Sequence, residues 1–285
     1  MTGLEPAMAP PHGQARTWPV LWVLGVPVVK ADPESALRAI ESAFESARSG
    51  GPPALLAYVN AHTLNLAAED PDYRDLLCRA ALVLNDGAGL ALAARLQGDR
   101  FPANLNGSDF SPALLELAAR RGWRVFLLGG RPGVAEEATR RLQARIGGLQ
   151  IVGARDGYFP PGRDAEVAAE VRAAGADLMM VAMGNPLQER WLEAHLEATG
   201  ARLGIGVGAF LDFASGRVAR APAWLNRLGI EWVWRLAREP RRMWRRYILG
   251  NPLFLWRVCR GPRPIEPATP GPNRTGLCPE GSADR

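Results

Sequence analysis

Short apolar runs alternate with stretches of helical periodicity along most of the chain, and the alternation predicts strands separated by helices. The strand-like runs are Leu21–Val29, Ala54–Val59, Leu82–Leu84, Arg124–Leu128, Gln150–Val152, Leu178–Ala182 and Arg202–Val207. Between them, helical spacing predicts Pro33–Ala47, His62–Ala68, Ala88–Leu96, Ser111–Arg120, Gly133–Arg145, Ala165–Ala174 and Leu187–Glu197. Strands joined through helices make βαβ units, which build a mostly parallel sheet covered on both faces. The expected fold is therefore α/β and Rossmann-like, with no internal repeat.

The pattern changes at both ends. Residues 1–17, with Pro6, Pro10, Pro11 and Gly13, read as a flexible leader to an α/β domain over 18–220. Residues 221–260 read as helix alone: a short helix opening at Ala221-Pro222, a second over Ile230–Arg238 and a third starting at Pro240. On a helical wheel Arg235, Arg238, Arg242, Arg245 and Arg246 share one side, opposite Trp232, Val233, Leu236, Met243, Trp244 and Tyr247. Arginine opposite tryptophan suits a helix lying on a membrane surface, and equally an amphipathic helix docked on its own domain. Residues 261–285 hold Pro262, Pro264, Pro267, Pro270, Pro272 and Pro279 and few large apolar side chains, the composition of a disordered tail.

Charge sharpens this division. The formal net charge of the 285 residues is +5. Residues 217–260 hold eleven arginines against Glu231 and Glu239, so the rest of the chain is close to balance. A basic C-terminal segment implies an anionic partner, whether a membrane surface, nucleic acid or a phosphorylated substrate. Cys78, Cys259 and Cys278 are scattered, without the spacing of a zinc site or a disulfide framework. The apolar stretch Trp18–Val29 is broken by Pro19, Gly25 and Pro27, so it reads as a strand and not a signal peptide. No run reaches the length of a membrane span. The expected location is cytoplasmic, peripheral on the inner membrane face.

Ligands of an open parallel sheet bind outside the carboxyl ends of its strands, and four such ends carry polar groups or glycine turns. They are Asn60; Asn85-Asp86-Gly87-Ala88-Gly89; Gly129-Gly130-Arg131-Pro132-Gly133; and Gly184-Asn185-Pro186-Leu187-Gln188-Glu189. Asp86, flanked by glycine, is placed to act as a general base toward an attacking hydroxyl, or alternatively to cap the helix beginning near Ala88. The turn at Gly129-Gly130 precedes a helix whose first amides could hold a phosphate. It lacks the full dinucleotide fingerprint, which counts against an oxidoreductase on the same fold. Lys30 is the only lysine and no Walker motif exists, which excludes a P-loop NTPase. Asp70-Pro71-Asp72 spells the D-x-D of metal-dependent sugar-nucleotide enzymes, but it lies between helical patterns, where capping explains it better. His12, His62 and His195 are isolated, so no metal or other cofactor is expected. Without a metal, arginines must hold the charge of a leaving diphosphate.

Taken together, the blocks VNAHTLNLA around Asn60, DGAG at 86–89, NGSDF at 106–110, FLLGGRPGVAEEA at 126–138 and DGYF at 156–159 form an ordered series. It continues with MGNPLQERW at 183–191, GVGAFLDFASGRVARAPAW at 206–224 and GIEWVWRLAREPRRMWRR at 229–246. In this order they resemble the WecG/TagA/CpsF family, glycosyltransferase family 26, from about Leu24 to Tyr247. The resemblance implies a Rossmann-like domain with a C-terminal helical appendage, and an inverting, metal-independent transfer from a UDP-sugar donor. The implied acceptor is a polyprenyl-diphosphate-linked sugar, in the synthesis of teichoic acid linkage units, enterobacterial common antigen or exopolysaccharide.

By the same resemblance Asp86 is the base, Asn60 an amide positioning donor or acceptor, and Gln188 the active-site glutamine. Arg235, Arg242 and Arg245 would close over the diphosphate. Gly129, Gly130, Asn185, Asp109 and Glu189 complete the candidate substrate site, Asp109 and Glu189 being the next candidates for the base. One position departs from the family: Asn104 stands where an arginine is frequent, with Arg100 and Arg131 as candidate replacements. A non-catalytic basic adaptor for membrane or nucleic acid would leave Asp86, Asn60 and Gln188 without a role, and nucleic acid is not an expected partner. A homo-oligomer stays open.

Overall fold

In the computed structural model the described residues are 18–219, 231–238 and 240–260. The leader, the expected helix at Ala221-Pro222 and the tail lie outside them. Six parallel strands form the central sheet: β3 (Ala54–Val59), β4 (Leu82–Asn85), β5 (Arg124–Gly129), β6 (Gln150–Arg155), β7 (Leu178–Ala182) and β8 (Leu203–Gly206). Their order across the sheet is β4-β3-β8-β7-β5-β6.

The first expected strand is in fact two. β1 (Val20–Val23) and β2 (Val26–Val29) pair antiparallel as a separate two-stranded sheet. The turn between them, Leu24-Gly25, has positive φ at both residues, 49° and 79°. That conformation is routine for glycine and uncommon for leucine.

Helices cover both faces, as period-2 strands buried on two sides require. Leu56 and Tyr58 of β3 point into a cluster with α1 (Pro33–Arg48), α5 (Gly107–Arg121), α6 (Val134–Arg145) and α9 (Phe210–Ala214). Ala57 and Val59 point the other way, toward α2 (Ala61–Glu69), α3 (Pro71–Arg79), α4 (Ala88–Leu96) and the β1–β2 hairpin. Farther along that face α7 (Asp164–Ala174) and α8 (Leu187–Thr199) cover Phe126, Leu128, Met179 and Val181. Each fully buried Leu, Val or Met contributes about 1.5–3 kcal/mol.

Side-chain caps fix several helix starts. Asp32 accepts from Ser35 N at 2.8 Å ahead of Pro33, and Asp70 accepts from Tyr73 N at 3.0 Å ahead of Pro71. The D-x-D aspartate is thus a cap, as expected, and Asp70 also pairs with Arg190. α5 begins four residues before the expected Ser111, because Asn106 caps it by accepting from Asp109 N at 3.0 Å.

The C-terminal helices are α10 (Glu231–Arg238) and α11 (Pro240–Trp244), the latter running through a π turn at Arg245–Leu249 into α12 (Gly250–Arg260). The π turn shifts the helical phase, and the expected division into two faces holds in part. Met243 is buried, whereas Val233 and Trp244 are exposed beside the exposed Arg238 and Arg245. α12 packs on α2 and α4. It buries Phe254 and Val258 in the hairpin-side cluster, and Arg257 donates to Asn65 O at 3.0 Å and to Glu69 at 2.7 Å. Asn65 in turn donates to Gly250 O at 2.7 Å. No helix among the described residues is long and apolar enough to cross a membrane.

Candidate active site

The strand ends form one edge. Val59 lies level with Asn85, Ala57 with Gly206, Val181 with Gly206, and Ala182 with Gly129. From β3 the chain steps outward to β4, and from β5 it steps outward to β6, leaving β8 and β7 between the diverging loops. That divergence is where an open α/β sheet forms its ligand crevice.

Two residues meet at the β3–β4 end. Asn60 follows β3 and caps α2, its Oδ1 accepting from His62 N at 3.1 Å and Thr63 N at 3.2 Å. With the oxygen so engaged, its Nδ2 points outward and donates to Asp86 Oδ2 at 3.2 Å. The Asp86 backbone is pinned by its own N–H to Val59 O at 2.8 Å. The side chain of Asp86 does not cap α4; the cap residue is Gly87, with no side-chain bond. Asp86 is half-buried, and Asn60 is its side-chain donor among the described residues. A carboxylate held by one amide on one oxygen keeps the other for a proton.

Asn104 braces the same turn: its Oδ1 accepts from Gly87 N at 2.9 Å. At the position of the family's arginine this chain thus has an amide that shapes the Asp86 loop. Asn85, buried before Asp86, donates to Ala103 O at 2.8 Å, while its Oδ1 has no partner. An unmet buried acceptor costs about 1–3 kcal/mol, and functional sites are where such costs accumulate.

The β7–β8 end is built differently. Gln188 Oε1 accepts from Gly184 N at 3.2 Å and from Gly208 N at 3.0 Å, tying the two strand-end turns together. Its Nε2 donates to Glu189 Oε1 at 2.7 Å. Glu189 Oε1 also accepts from Asn185 Nδ2 at 2.7 Å, and its Oε2 accepts from Tyr73 OH at 3.1 Å. Gln188 is 1% exposed and Glu189 0%. Both lie beneath the crevice, with their polar atoms turned to protein. Burial pushes the Glu189 carboxyl up to about 7 and the Tyr73 hydroxyl well above its ordinary range. Gly206 makes room for this pair, since a Cβ there would lie 2.6 Å from Gln188 Nε2 and 2.7 Å from Glu189 Oε1.

The remaining candidates spread along the edge. Gly129 has φ 132°, and a Cβ on it would lie 2.4 Å from Ala182 O, so only glycine lets β5 and β7 end this close. Gly130 N donates to Ala182 O at 3.0 Å. Asp109 is exposed in the first turn of α5, where its Oδ2 accepts from Asn106 Nδ2 at 2.8 Å. Arg131 is exposed. Arg245 is exposed with its guanidinium 5.4 Å from the Trp244 ring centroid. The side chains of Arg235 and Arg242 lie outside the described residues.

His62 is half-buried next to Asn60. Burial and the Arg246 charge lower its pKa to about 4. Arg246, from the π turn, therefore acts electrostatically on the first turn of α2. Among the described residues no group of three or more His, Cys, Asp or Glu could hold a metal ion. Tyr73 and the bracing by Asn104 were not among the expected site residues. Tyr73 sits on α3, where charged residues mask the helical spacing, and an asparagine in a loop carries no periodic signal.

A six-stranded parallel sheet with a carboxylate and an amide paired at its carboxyl edge is an α/β framework with a ligand crevice. The profile of the glycosyl transferase WecG/TagA/CpsF family matches residues 21–265. The chain belongs to that family and is a glycosyltransferase. Among its relatives is the N-acetylglucosaminyldiphosphoundecaprenol N-acetyl-beta-D-mannosaminyltransferase of Bacillus subtilis (strain 168). It is 30% identical over 223 residues, covering 78% of this chain and 85% of the relative.

Proposed function

We propose that the protein transfers a hexose of the N-acetylmannosamine or glucose type from a UDP-sugar to a polyprenyl-diphosphate-linked sugar, inverting the anomeric carbon and needing no metal. The observation that carries this reading is the Asn60–Asp86 pair at the β3–β4 end, 3.2 Å apart on the carboxyl edge of the sheet. Asp86 takes the proton of the acceptor hydroxyl as that oxygen bonds to the anomeric carbon. The bond from that carbon to the UDP oxygen breaks, and UDP leaves with the electron pair. Asn60 holds one carboxylate oxygen so that the other faces the acceptor. Gln188 and Glu189 act from below, fixing the turns after β7 and β8.

Metal independence is supported by the use of Asp70 as a helix cap and as partner to Arg190, which removes the D-x-D from play. The acceptor class is supported by the acceptor named for the Bacillus relative. Residues 221–260 complete the site, with Arg235, Arg242 and Arg245 holding the leaving diphosphate, and bring the enzyme to the anionic inner face of the cell membrane. Docking of α12 on α2, whose first residue follows Asn60, supports that role.

The test is transfer from UDP-N-acetylmannosamine to a short-chain polyprenyl-diphosphate N-acetylglucosamine in EDTA, with the product anomer read by NMR. The expected result is product of inverted configuration, formed equally with and without chelator. Activity that vanishes in EDTA and returns with magnesium or manganese defeats the metal-free mechanism. Failure with every UDP-sugar tried defeats the reading as a whole.

A further inference from the structure

A cavity of 580 Å³ opens beside α4, lined by Ala91, Arg95, Gly98, Asp99, Arg100 and Phe101. Its one carboxylate is already engaged. Asp99 accepts from Lys30 Nζ at 2.8 and 2.7 Å and from Arg100 N at 2.7 Å, and these bonds hold its carboxyl below the usual range. The two guanidiniums are in a different position. Arg95 and Arg100 are exposed, and neither forms a salt bridge among the described residues. The Arg100 charge also acts on Asp99, but the bonds of that carboxylate go to Lys30 and to backbone N–H. The two exposed guanidiniums on one concavity match a phosphate or diphosphate, whose oxygens accept their paired N–H groups.

The exposed surface of α4 around Arg95 narrows the class of ligand. Leu92 and Leu96 flank Arg95 on α4, are 41% and 49% exposed, and lie four residues apart on one helical face. A soluble phosphate has no use for two exposed leucines, whereas a phosphate on a hydrocarbon chain does. The neighbouring helix α12 shows the same pairing of apolar and cationic groups: Leu253 and Trp256 are exposed, with the Arg260 guanidinium 4.7 Å from the Trp256 ring centroid. α4 begins two residues after Asp86. From Ala88 to Arg95 the helix rises about 10 Å, a span comparable to a sugar ring plus a diphosphate.

We propose that Arg95 and Arg100 bind the phosphate of a membrane lipid, with Leu92 and Leu96 against its hydrocarbon. The phosphate belongs either to the diphosphate of the acceptor or to a phospholipid of the bilayer; the first source rests on the proposed function, the second does not. The double variant Arg95→Gln/Arg100→Gln separates them. Both side chains are exposed, so its melting temperature should match that of the parent.

Two arms are read on the full chain. One is KM for a short-chain polyprenyl-diphosphate N-acetylglucosamine in detergent, with Kd for UDP beside it. The other is co-flotation with phosphatidylglycerol vesicles against phosphatidylcholine vesicles. A rise of about tenfold or more in acceptor KM at constant UDP affinity assigns the acceptor diphosphate. Loss of phosphatidylglycerol flotation at constant acceptor KM assigns the bilayer. Leu92→Ser/Leu96→Ser should weaken the same arm. A double variant equal to the parent in both arms overturns the inference, as does a change confined to UDP affinity. A parent that transfers no sugar yet loses vesicle binding on substitution sinks the proposed function and leaves the lipid site standing. A parent that neither transfers nor floats overturns both.

Discussion

Asn60 hands its amide nitrogen to the carboxylate of Asp86 across 3.2 Å, while its oxygen caps α2 through His62 N and Thr63 N. One side chain thus sets both the start of a helix and the placement of the Asp86 carboxylate. Because Asp86 has no capping duty of its own, Asp86→Asn should leave the melting temperature and UDP affinity close to the parent. Turnover should fall by about 10²–10⁴-fold, the usual contribution of a general base. Measuring kcat, UDP binding and melting on one preparation checks this. Turnover within a few-fold of the parent would move the search to Asp109.

Asn60→Asp makes a sharper probe than alanine. The new carboxylate can still accept from His62 N and Thr63 N, so α2 keeps its cap and stability should change little. It also sets a like charge against Asp86 in place of the amide donor, so turnover should fall while the melting temperature stays near the parent. Asn60→Ala should instead cost about 1 kcal/mol of stability as well as lowering turnover.

Glu189 makes stability depend on pH. Its carboxyl is raised to about 7 by burial, above an unfolded value of 4.5, so the folded state binds the extra proton. The stabilisation is fully present below about 4.5 and is lost as pH rises through 7, an effect of about 3 kcal/mol. Melting temperature should fall from pH 5 to pH 8. Glu189→Gln should flatten that decline, because the amide keeps the shape and does not titrate. An equal decline in parent and variant would place the effect elsewhere.

His62 acts in the opposite direction. Its folded pKa is lowered to about 4 by burial and by Arg246, below an unfolded 6.5. Its contribution is present above 6.5 and is lost as pH falls through 4. His62→Gln should remove part of the acid destabilisation, read as a smaller drop in melting temperature between pH 6 and pH 4.

Much of this architecture was legible in the sequence, because parallel strands buried on both faces read as continuous apolar runs. Ala54–Val59 and Leu178–Ala182 match residue for residue. α3 escaped because Asp72, Arg74, Asp75 and Arg79 hide the spacing of Tyr73, Leu76 and Leu77, the residues it buries. The hairpin was hidden by its own hydrophobicity, since Leu24 and Gly25 turn the chain without a polar break. The polar candidates were placed by strand ends. Their partners were not, because pairing Asn60 with Asp86 requires knowing that β3 and β4 are neighbours. Gln188 and Glu189 look like a solvated helix start, and nothing in their periodicity reveals their burial. The glycine at 206 carries the trace, as the space they occupy.

The tie between α12 and α2 also imposes an order in time. Arg257 and Gly250 hold the body of the helix that Asn60 caps, and Phe254 fills the cluster beneath it. During synthesis the sheet can assemble as its strands leave the ribosome, earlier segments first. The helix behind Asn60 must wait for residues nearly two hundred positions downstream. A nascent chain stalled before residue 250 should therefore hold a folded sheet whose second helix is not yet tied down. That helix would settle late in translation, when α12 has emerged to pack on it.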